Sequence, residues 1–208
     1  VLQPPAKKAK GPEKKKTDGH YITREERIFV FLSSELSRAY CLFLQNTASV
    51  FEKVNRCLQA QAPQIHVLRS HLFGLFEDIL SRFVSPAVLK QQGTLLSVKY
   101  QSREAQKNDE DLFIGQETRA AISKLKPKKQ QEFYGAVRDY FVTACDYIRL
   151  KFPLEDATLT HAEAADLRAI DNMSFRNVLF FVERFPTMLP QRMEETYTEA
   201  LDALEMEF

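Results

Sequence analysis

The side chains best suited to chemistry in this chain are lysines, which fall in two clusters. Six lysines lie within the first 20 residues, and four more lie within six residues around Pro127. Ammonium groups at this density suit contacts with phosphate, whose energy comes from counterion release and depends little on base sequence. The sequence therefore predicts candidate DNA contacts at Lys7, Lys8, Lys10, Lys14, Lys15, Lys16, Lys124, Lys126, Lys128 and Lys129.

Each lysine cluster has more than one interpretation. The cluster at 7–16 suits a nuclear import signal, an arm that contacts phosphates, or a solvated linker to a domain upstream. The cluster at 124–129 also suits the solvated start of a helix. The sequence leaves these alternatives open.

Histidines and carboxylates are the other side chains suited to chemistry, and their spacing does not favour a site. His66 and His71 are five residues apart. This spacing turns them about 140° from each other on a helix, so they do not share a metal as an i, i+4 pair does. The acids at 109–111 lie in a polar loop, and those at 155–156 follow a predicted helix end. We therefore expect no metal site and no catalytic residue in this chain.

Composition bounds the class of protein. Hydrophobic residues make up 44% of the chain and charged residues 27%, which is typical of a globular domain. No apolar run approaches the roughly 18 residues of a membrane helix, so we expect no membrane segment, and no secretory signal is recognised. The three cysteines form no Cys-x-x-Cys pair, which favours a reducing compartment over a disulfide framework or a zinc module.

Charge differs between the two ends of the chain. Residues 1–20 hold six lysines against two acids, and residues 191–208 hold one arginine against six acids. The basic end has too few large apolar side chains to offset the entropy of ordering. We therefore predict a disordered basic tail or linker at 1–20 and a single helical domain at 21–208.

Apolar periodicity predicts long helices in the domain. Thr23 and Glu26 have the spacing of a capping box, and an apolar stripe continues to Leu58 as one long helix or two collinear ones. Pro63 suits the first position of the next helix, and residues 127–150 have the pattern of another. The predicted core consists of Phe29, Leu32, Leu36, Leu72, Phe76, Phe141, Val178 and Phe181.

The sequence thus predicts an all-α protein, a multi-helix bundle with at most short strand pieces. Asp78 and Arg82 are four residues apart and are expected to pair on the helix face that turns to water or to a partner. Shorter elements are predicted as an extended segment at 95–100, a loop at 101–110, short helices at 116–125 and 156–165, and an acidic tail helix at 194–207.

Four blocks of sequence follow one another along most of the chain. A helical block at 58–86 precedes Asp-Leu-Phe-Ile-Gly at 111–115, an aromatic block at 133–156, and an amphipathic stretch at 174–190 that begins Ser-Phe-Arg-Asn-Val-Leu-Phe-Phe. In this order the blocks resemble hAT-superfamily transposases and the host proteins derived from them. The resemblance covers the helical insertion region and the following segment, truncated before the C-terminal dimerisation region.

The resemblance implies a parent transposase whose catalytic acids hold Mg²⁺ on an RNase H-like core. The family places those acids before and after the insertion, in segments not recognised in this chain. Many family members also place a tryptophan in the insertion to stabilise a flipped base, and this chain has none. Tyr100, Tyr134 and Tyr140 are expected in the core or at its edge. We therefore expect no enzymatic activity and no cofactor for this chain, with Mg²⁺ needed only by an intact parent.

Three functions are compatible with the sequence. The first is a non-catalytic, architectural helical region of a nuclear, hAT-transposase-like protein, with weak non-specific DNA contact. Its partner would be the remainder of the transposase-like polypeptide or a self-association partner. The second is an all-helical protein-interaction module of a domesticated nuclear protein. The third is part of an active DNA transposase whose catalytic acids lie outside this chain.

Overall fold

Helices account for the regular structure of the chain. The computed structural model describes residues 23–91, 93–166 and 174–185, together with Asp202 and Met206. In these residues no strand forms beyond one isolated antiparallel bridge, and the predicted all-α bundle is confirmed. The helices are α1 (Arg24–Leu32), α2 (Glu35–Leu58), α3 (Ile65–Phe83), α4 (Pro86–Gln91), α5 (Gln116–Ile122), α6 (Pro127–Lys151), α7 (Ala157–Ala162) and α8 (Phe175–Arg184).

The long helices α2, α3 and α6 meet at an aromatic core. Phe43 of α2 packs edge to face on Phe141 of α6, with 5.4 Å between ring centroids. Phe141 in turn stacks on Phe83 of α3, with 5.3 Å between centroids. All three rings are buried. Because such pairs contribute about 0.5–1.5 kcal/mol each beyond their buried area, this cluster holds the three helices in one arrangement.

The start of α1 has the predicted capping box. The Glu26 amide donates to Thr23 Oγ1 at 3.2 Å, and the Thr23 amide donates to Glu26 Oε2 at 2.8 Å. Ser33 and Ser34 then separate α1 from α2, so the apolar stripe belongs to two helices rather than one.

The predicted core is correct in the middle of the chain and wrong at its beginning. Leu72, Phe76 and Phe141 are buried, and Leu36 packs against them from a half-buried position. Phe29 and Leu32 are 72% and 68% exposed, and α1 has no buried residue. The assignment failed because periodicity marks an apolar face without indicating which element covers it. Two further predicted core residues, Val178 and Phe181 of α8, are half-buried.

Two predictions about shorter elements were also wrong. Helix α3 begins at Ile65 with Gln64 as its N-cap, so Pro63 precedes the helix instead of opening it. Residues 95–100, predicted as extended, contain a 3₁₀ helix at Leu95–Ser97. No neighbouring strand in the described residues offers these backbone groups a partner, so they bond locally. The helices predicted at 116–125, 127–150 and 156–165 are confirmed as α5, α6 and α7.

The predicted polar loop at 101–110 is fastened to the end of α3. The Lys107 amide donates to the Phe83 carbonyl at 2.7 Å, and the Ser85 amide donates to the Ala105 carbonyl at 2.8 Å. Backbone hydrogen bonds of this kind hold a polar segment in one path even where its side chains face water.

Helix α8, the most characteristic part of the sequence, packs on α7. The His161 ring stacks on Phe180 with 4.1 Å between centroids, and His161 Nδ1 lies 2.9 Å from Asn177 Oδ1. Of the acidic tail helix predicted at 194–207, Asp202 and Met206 are helical and the other residues lie outside those that the structure describes, as does the basic tail at 1–20.

Candidate functional site

The second lysine cluster lies at the corner between α5 and α6. Helix α6 opens with Pro127, at a position where the missing amide proton has no helical partner to lose. Lys124 and Lys126 precede this proline and Lys128 and Lys129 follow it, and all four side chains are exposed. The N-terminus of a 25-residue helix adds partial positive charge. The corner is therefore strongly cationic.

Hydrogen bonds from the Gln130 side chain hold the backbone of this basic corner in place. Gln130 Nε2 donates to the Leu125 carbonyl at 2.8 Å and to the Ile122 carbonyl at 3.2 Å. Ile122 and Leu125 are themselves buried. In the part of the chain that the structure describes, none of the four lysines of the corner is in an ion pair. The structure thus places the four lysines of the second cluster, predicted as DNA contacts, on one corner with their side chains exposed to solvent.

The first lysine cluster cannot be placed beside the second. Lys7, Lys8, Lys10, Lys14, Lys15 and Lys16 lie outside the described residues.

A groove between α2 and α5 lies next to the basic corner. Its volume is 360 Å³, within the range of about 300–1,000 Å³ typical of ligand clefts. Helix α2 contributes Glu35, Arg38 and Leu42, and α5 and the turn after it contribute Glu117, Ala120, Ala121 and Lys124. The lining thus combines three apolar residues with two acids and two basic residues. Sequence reasoning missed this groove because its two walls are about 80 residues apart and neither has a motif.

Helix α1 presents an unusually apolar exposed surface. Five consecutive large hydrophobic residues end the helix, with exposures between 48% and 72%: Ile28, Phe29, Val30, Phe31 and Leu32. An amphipathic surface helix spaces its apolar residues three and four apart, so five in a row cover the helix on all sides. That consecutive run was the available sequence signal for a helix needing contacts on more than one face.

Two of the acids singled out in the sequence, Asp109 and Asp156, occupy structural positions. Asp109 accepts a hydrogen bond from Arg138, whose side chain is only 9% exposed, and lies 3.6 Å from Arg103 Nη2. Asp156 is the N-cap of α7, where the Thr158 amide donates to its Oδ1 at 2.6 Å. Hydrogen bonds from Thr158 hold the pKa of the Asp156 carboxyl below its usual range.

No metal-binding group of three or more His, Cys, Asp or Glu residues occurs in the described residues. His66 lines a second groove of 270 Å³, together with Glu163 of the turn after α7 and Asn177 of α8. Glu163 also pairs with Arg69 at 3.0 Å, which links α3 to this turn.

Of the three tyrosines considered for base stacking, Tyr100 is not free to stack on a base. Its side chain is fully buried, and its hydroxyl donates to Asp146 Oδ1 at 2.7 Å. Tyr134 and Tyr140 are half-buried against the core, and burial raises the pKa of both hydroxyls. These positions agree with the expectation that the three residues lie in the core or at its edge.

The sequence predicted that Asp78 and Arg82 pair on a helix face turned to water or to a partner. The solvent-facing position is wrong for Arg82. Its side chain is 9% exposed, Nη1 donates to Asn46 Oδ1 at 2.8 Å, and the guanidinium lies 4.7 Å from the centre of the Phe113 ring. Burial lowers the pKa of Arg82. The four-residue spacing puts both residues on α3 as expected. Contacts with α2 and with the loop before α5, however, hold the Arg82 guanidinium in the interior.

The thiols of the chain differ in exposure. Cys41 is exposed, Cys57 is half-buried and Cys145 is buried. Burial raises the pKa of the Cys145 thiol, so that thiol stays protonated and contributes to packing.

No family model, curated protein or solved structure matches this chain. The resemblance to hAT transposases therefore stays a prediction that depends on the four sequence blocks. Across the described helices, none is both long and apolar enough to cross a membrane.

Proposed function

We propose that this chain is a non-catalytic helical region of a nuclear, hAT-transposase-like protein. In this proposal it braces the rest of that polypeptide and contacts DNA weakly, without sequence preference. The observation that carries the DNA contact is the basic corner, where Lys124, Lys126, Lys128 and Lys129 are exposed and in no ion pair with another described residue.

The basic corner suits phosphate contact because its backbone is already ordered. Gln130 ties the turn after α5 to the start of α6, and α6 continues into the aromatic core through Phe133 and Phe141. Ordering a loop on binding costs free energy, and a preformed corner avoids that cost. Lysine ammonium groups on an exposed corner favour contact with backbone phosphates over reading of base edges.

A non-catalytic role is supported by the positions of the acids. Asp109 is engaged in a loop contact with Arg138, and Asp156 is engaged as the N-cap of α7. In an intact parent transposase, Mg²⁺ would be held by acids elsewhere in the polypeptide.

The DNA contact is tested by fluorescence anisotropy of labelled duplex DNA with the full chain over a series of salt concentrations. We expect weak binding whose affinity falls steeply with salt, with little difference between DNA sequences. If the lysines at 7–16 also contact phosphates, removal of residues 1–20 should lower the affinity by the share that they contribute and leave the share of the basic corner. Replacing Lys126, Lys128 and Lys129 with Gln should weaken binding further and lower the salt slope by up to about 0.9 for each phosphate that the variant no longer neutralises.

The matched control replaces Lys53, Lys90 and Lys99 with Gln. These lysines are also exposed but are scattered over other elements, so the net charge changes equally without touching the corner. Equal effects of the two triple variants would contradict a localised contact. Salt-resistant, sequence-selective binding by the chain without residues 1–20 would replace the architectural proposal with a DNA-reading one.

The absence of catalysis is tested separately on labelled transposon-end DNA. We expect no nicking and no strand joining in Mg²⁺ or Mn²⁺. Cleavage that persists through purification and disappears when one carboxylate is replaced would contradict the proposal.

A second candidate function is a protein-interaction module, in which the chain binds another polypeptide through a helix. The exposed apolar residues of α1 favour it, because neighbouring large hydrophobic side chains exposed on one helix are typical of an interaction surface.

A further inference from the structure

Every residue of helix α1 is exposed, so no other described part of the chain buries it. Its last five residues, from Ile28 to Leu32, are all large and apolar. Successive residues turn by about 100° around a helix, so five in a row place apolar side chains on every side. A helix end that is apolar on all sides needs surroundings that cover all of them.

The lysine cluster at 7–16 precedes this apolar run in the sequence. It contains six lysines and one acid, Glu13. Clusters of roughly four to eight basic residues beside an apolar helix are typical of segments that bind anionic lipid headgroups. Residues 17–27 separate the cluster from the run, and a segment of this length reaches at most about 40 Å. The lysines and the apolar run are therefore close enough in the chain to contact one surface together.

We propose that α1 and the lysine cluster at 7–16 bind reversibly to the surface of a membrane that contains anionic phospholipid. The apolar run enters the boundary between headgroups and acyl chains, and the lysines contact the headgroup phosphates and carboxylates. This is a surface contact, since no described helix is long and apolar enough to cross a membrane. It is separate from the DNA contact proposed for the basic corner, and it gives α1 a lipid occupant instead of a protein.

The combination of charge and apolar surface favours a membrane over DNA or a protein. DNA would pair with the lysines but would leave the five apolar side chains in water. A groove on a protein would cover one side of α1 and would not account for the lysines. An anionic membrane accounts for both features, because stable peripheral binding takes two signals, such as one apolar element and one polybasic segment.

The first turn of α1 suits the headgroup layer. Arg24 and Arg27 lie beside Glu25 and Glu26, so this turn is polar and has no net charge. The Glu26 carboxylate accepts a hydrogen bond from the Thr23 amide at 2.8 Å. An arginine such as Arg27 keeps its charged head among headgroups while its methylene stem lies along apolar surface. The lysines therefore supply the attraction to anionic lipid, and the apolar run supplies the insertion.

The test is co-sedimentation of the full chain with vesicles of equal parts phosphatidylcholine and phosphatidylserine, compared with vesicles of phosphatidylcholine alone. The wild-type chain should bind the anionic vesicles at least about tenfold more strongly, because each lysine near the surface adds attraction. Added salt should weaken that binding by screening the charges.

Replacing both Phe29 and Phe31 with Gln should lower binding to the anionic vesicles at least about tenfold, because two aromatic side chains no longer leave water. This change keeps the net charge, and α1 has no buried residue, so the fold should persist by circular dichroism. The matched control replaces Tyr147 and Leu150 of α6 with Gln. These side chains are 60% and 76% exposed, and their loss should leave vesicle binding unchanged.

Replacing Lys14, Lys15 and Lys16 with Gln tests the electrostatic part. It should weaken binding to the anionic vesicles and bring it closer to binding on phosphatidylcholine alone. The control with Gln at the exposed positions 53, 90 and 99 changes the net charge equally and should weaken vesicle binding less.

Insertion itself is measured with Phe31→Trp, which gives a single reporter because the chain has no tryptophan. Its emission should move to shorter wavelength on anionic vesicles, and phospholipid with brominated acyl chains should quench it. A blue shift without quenching would place α1 outside the acyl boundary and overturn the proposed insertion.

A wild-type chain that does not bind anionic vesicles would overturn the proposal. Vesicle binding that the Phe29 and Phe31 substitutions leave unchanged would also overturn it, since the lysines would then adsorb alone and α1 would be left to a protein partner. The same two substitutions should leave the affinity for duplex DNA unchanged, so failure of the membrane contact and failure of the proposed DNA contact are separate results.

Discussion

The Asp109 carboxylate lies between two guanidinium groups, those of Arg103 and Arg138. Arg138 is 9% exposed on the side-chain scale, whereas Asp109 is 44% exposed. A guanidinium that is nearly buried needs its partner, because water cannot replace the lost hydrogen bonds. Asp109, one of the acids that the sequence places in a polar loop, thus holds that loop against α6.

We predict that Asp109→Ala lowers the free energy of unfolding by about 1–3 kcal/mol, since it leaves Arg138 without its carboxylate partner while solvent screens part of the effect. Chemical denaturation measures the change. The neighbouring Glu110 is exposed, so Glu110→Ala should change stability by less than about 0.5 kcal/mol. Equal effects of the two substitutions would show that the ion pair contributes little.

Tyr100 leads to a prediction about alkaline pH. Burial first, and then its hydrogen bond to Asp146, raise the pKa of Tyr100 above the ordinary value of about 10. In the unfolded chain the hydroxyl ionises near pH 10, whereas in the folded chain it stays protonated. The contribution to stability is therefore complete below about pH 10 and is lost as pH rises above it.

We expect the unfolding free energy to fall above about pH 10, by up to about 1.4 kcal/mol per pH unit for each such group. Tyr100→Phe removes the titrating hydroxyl and should make that fall less steep. It should also lower stability near pH 7 by about 1 kcal/mol through loss of the hydrogen bond. Denaturation at pH 7, 9, 10 and 11 tests both effects, and an unchanged alkaline slope would contradict the assignment to Tyr100.

At the scale of elements, the loop that leads into α5 depends on one glycine. Gly115 is the N-cap of α5 and has φ 88°, in the region that favours glycine. A Cβ at this position would lie 2.9 Å from the side-chain Cγ of Asn46. Asn46 accepts the hydrogen bond of the buried Arg82, so this turn, α2 and α3 share one contact region.

We predict that Gly115→Ala lowers the free energy of unfolding by about 1–3 kcal/mol, from backbone strain together with displacement of Asn46. Gly135 provides the opposite case, because it lies exposed within α6 and a Cβ there would have no neighbour within 4 Å. Gly135→Ala should stabilise by about 0.5–1 kcal/mol. Thermal unfolding of both variants measures the difference, and a shift of the same sign in both would contradict this interpretation.

At the scale of the whole molecule, one core supports two exposed surfaces. The buried cluster joins α2, α3 and α6 and extends to Ile114, just before α5, and to Ile122, the last residue of α5. The basic corner and the α2–α5 groove both lie where α5 meets this cluster. Helix α1 lies outside it, since none of its residues is buried. The buried cluster therefore accounts for stability, whereas the surfaces proposed for interaction consist of exposed residues around it and on α1.

We predict that Phe141→Ala and Phe29→Ala change the free energy of unfolding by very different amounts. Phe141→Ala should lower the free energy of unfolding by about 3–5 kcal/mol, because Phe141 is fully buried and contacts the rings of Phe43 and Phe83. Phe29→Ala should change it by less than about 0.5 kcal/mol, because Phe29 is exposed and α1 has no buried residue. Chemical denaturation tests both, and a comparable loss from Phe29→Ala would show that α1 packs on the body.

The sequence by itself determined where the long helices lie, because helix formation depends on local periodicity and capping, whereas it missed the short helix α4 and the 3₁₀ helix at Leu95–Ser97. The Thr23 capping box, the extent of α6 and the apolar face of α3 that includes Leu72 and Phe76 all follow from residues close together along the chain. The same was true of charge density in the basic corner, where the lysines are neighbours in sequence.

Only the tertiary structure decided which apolar and polar faces are covered. It left the apolar run of α1 in solvent, drew Arg82 inward to Asn46, and formed a groove from walls distant in sequence. A periodic pattern defines a face of a helix, whereas burial depends on which other helix occupies that face. That choice is made by packing among α2, α3, α5 and α6, whose contacts are not local in the chain.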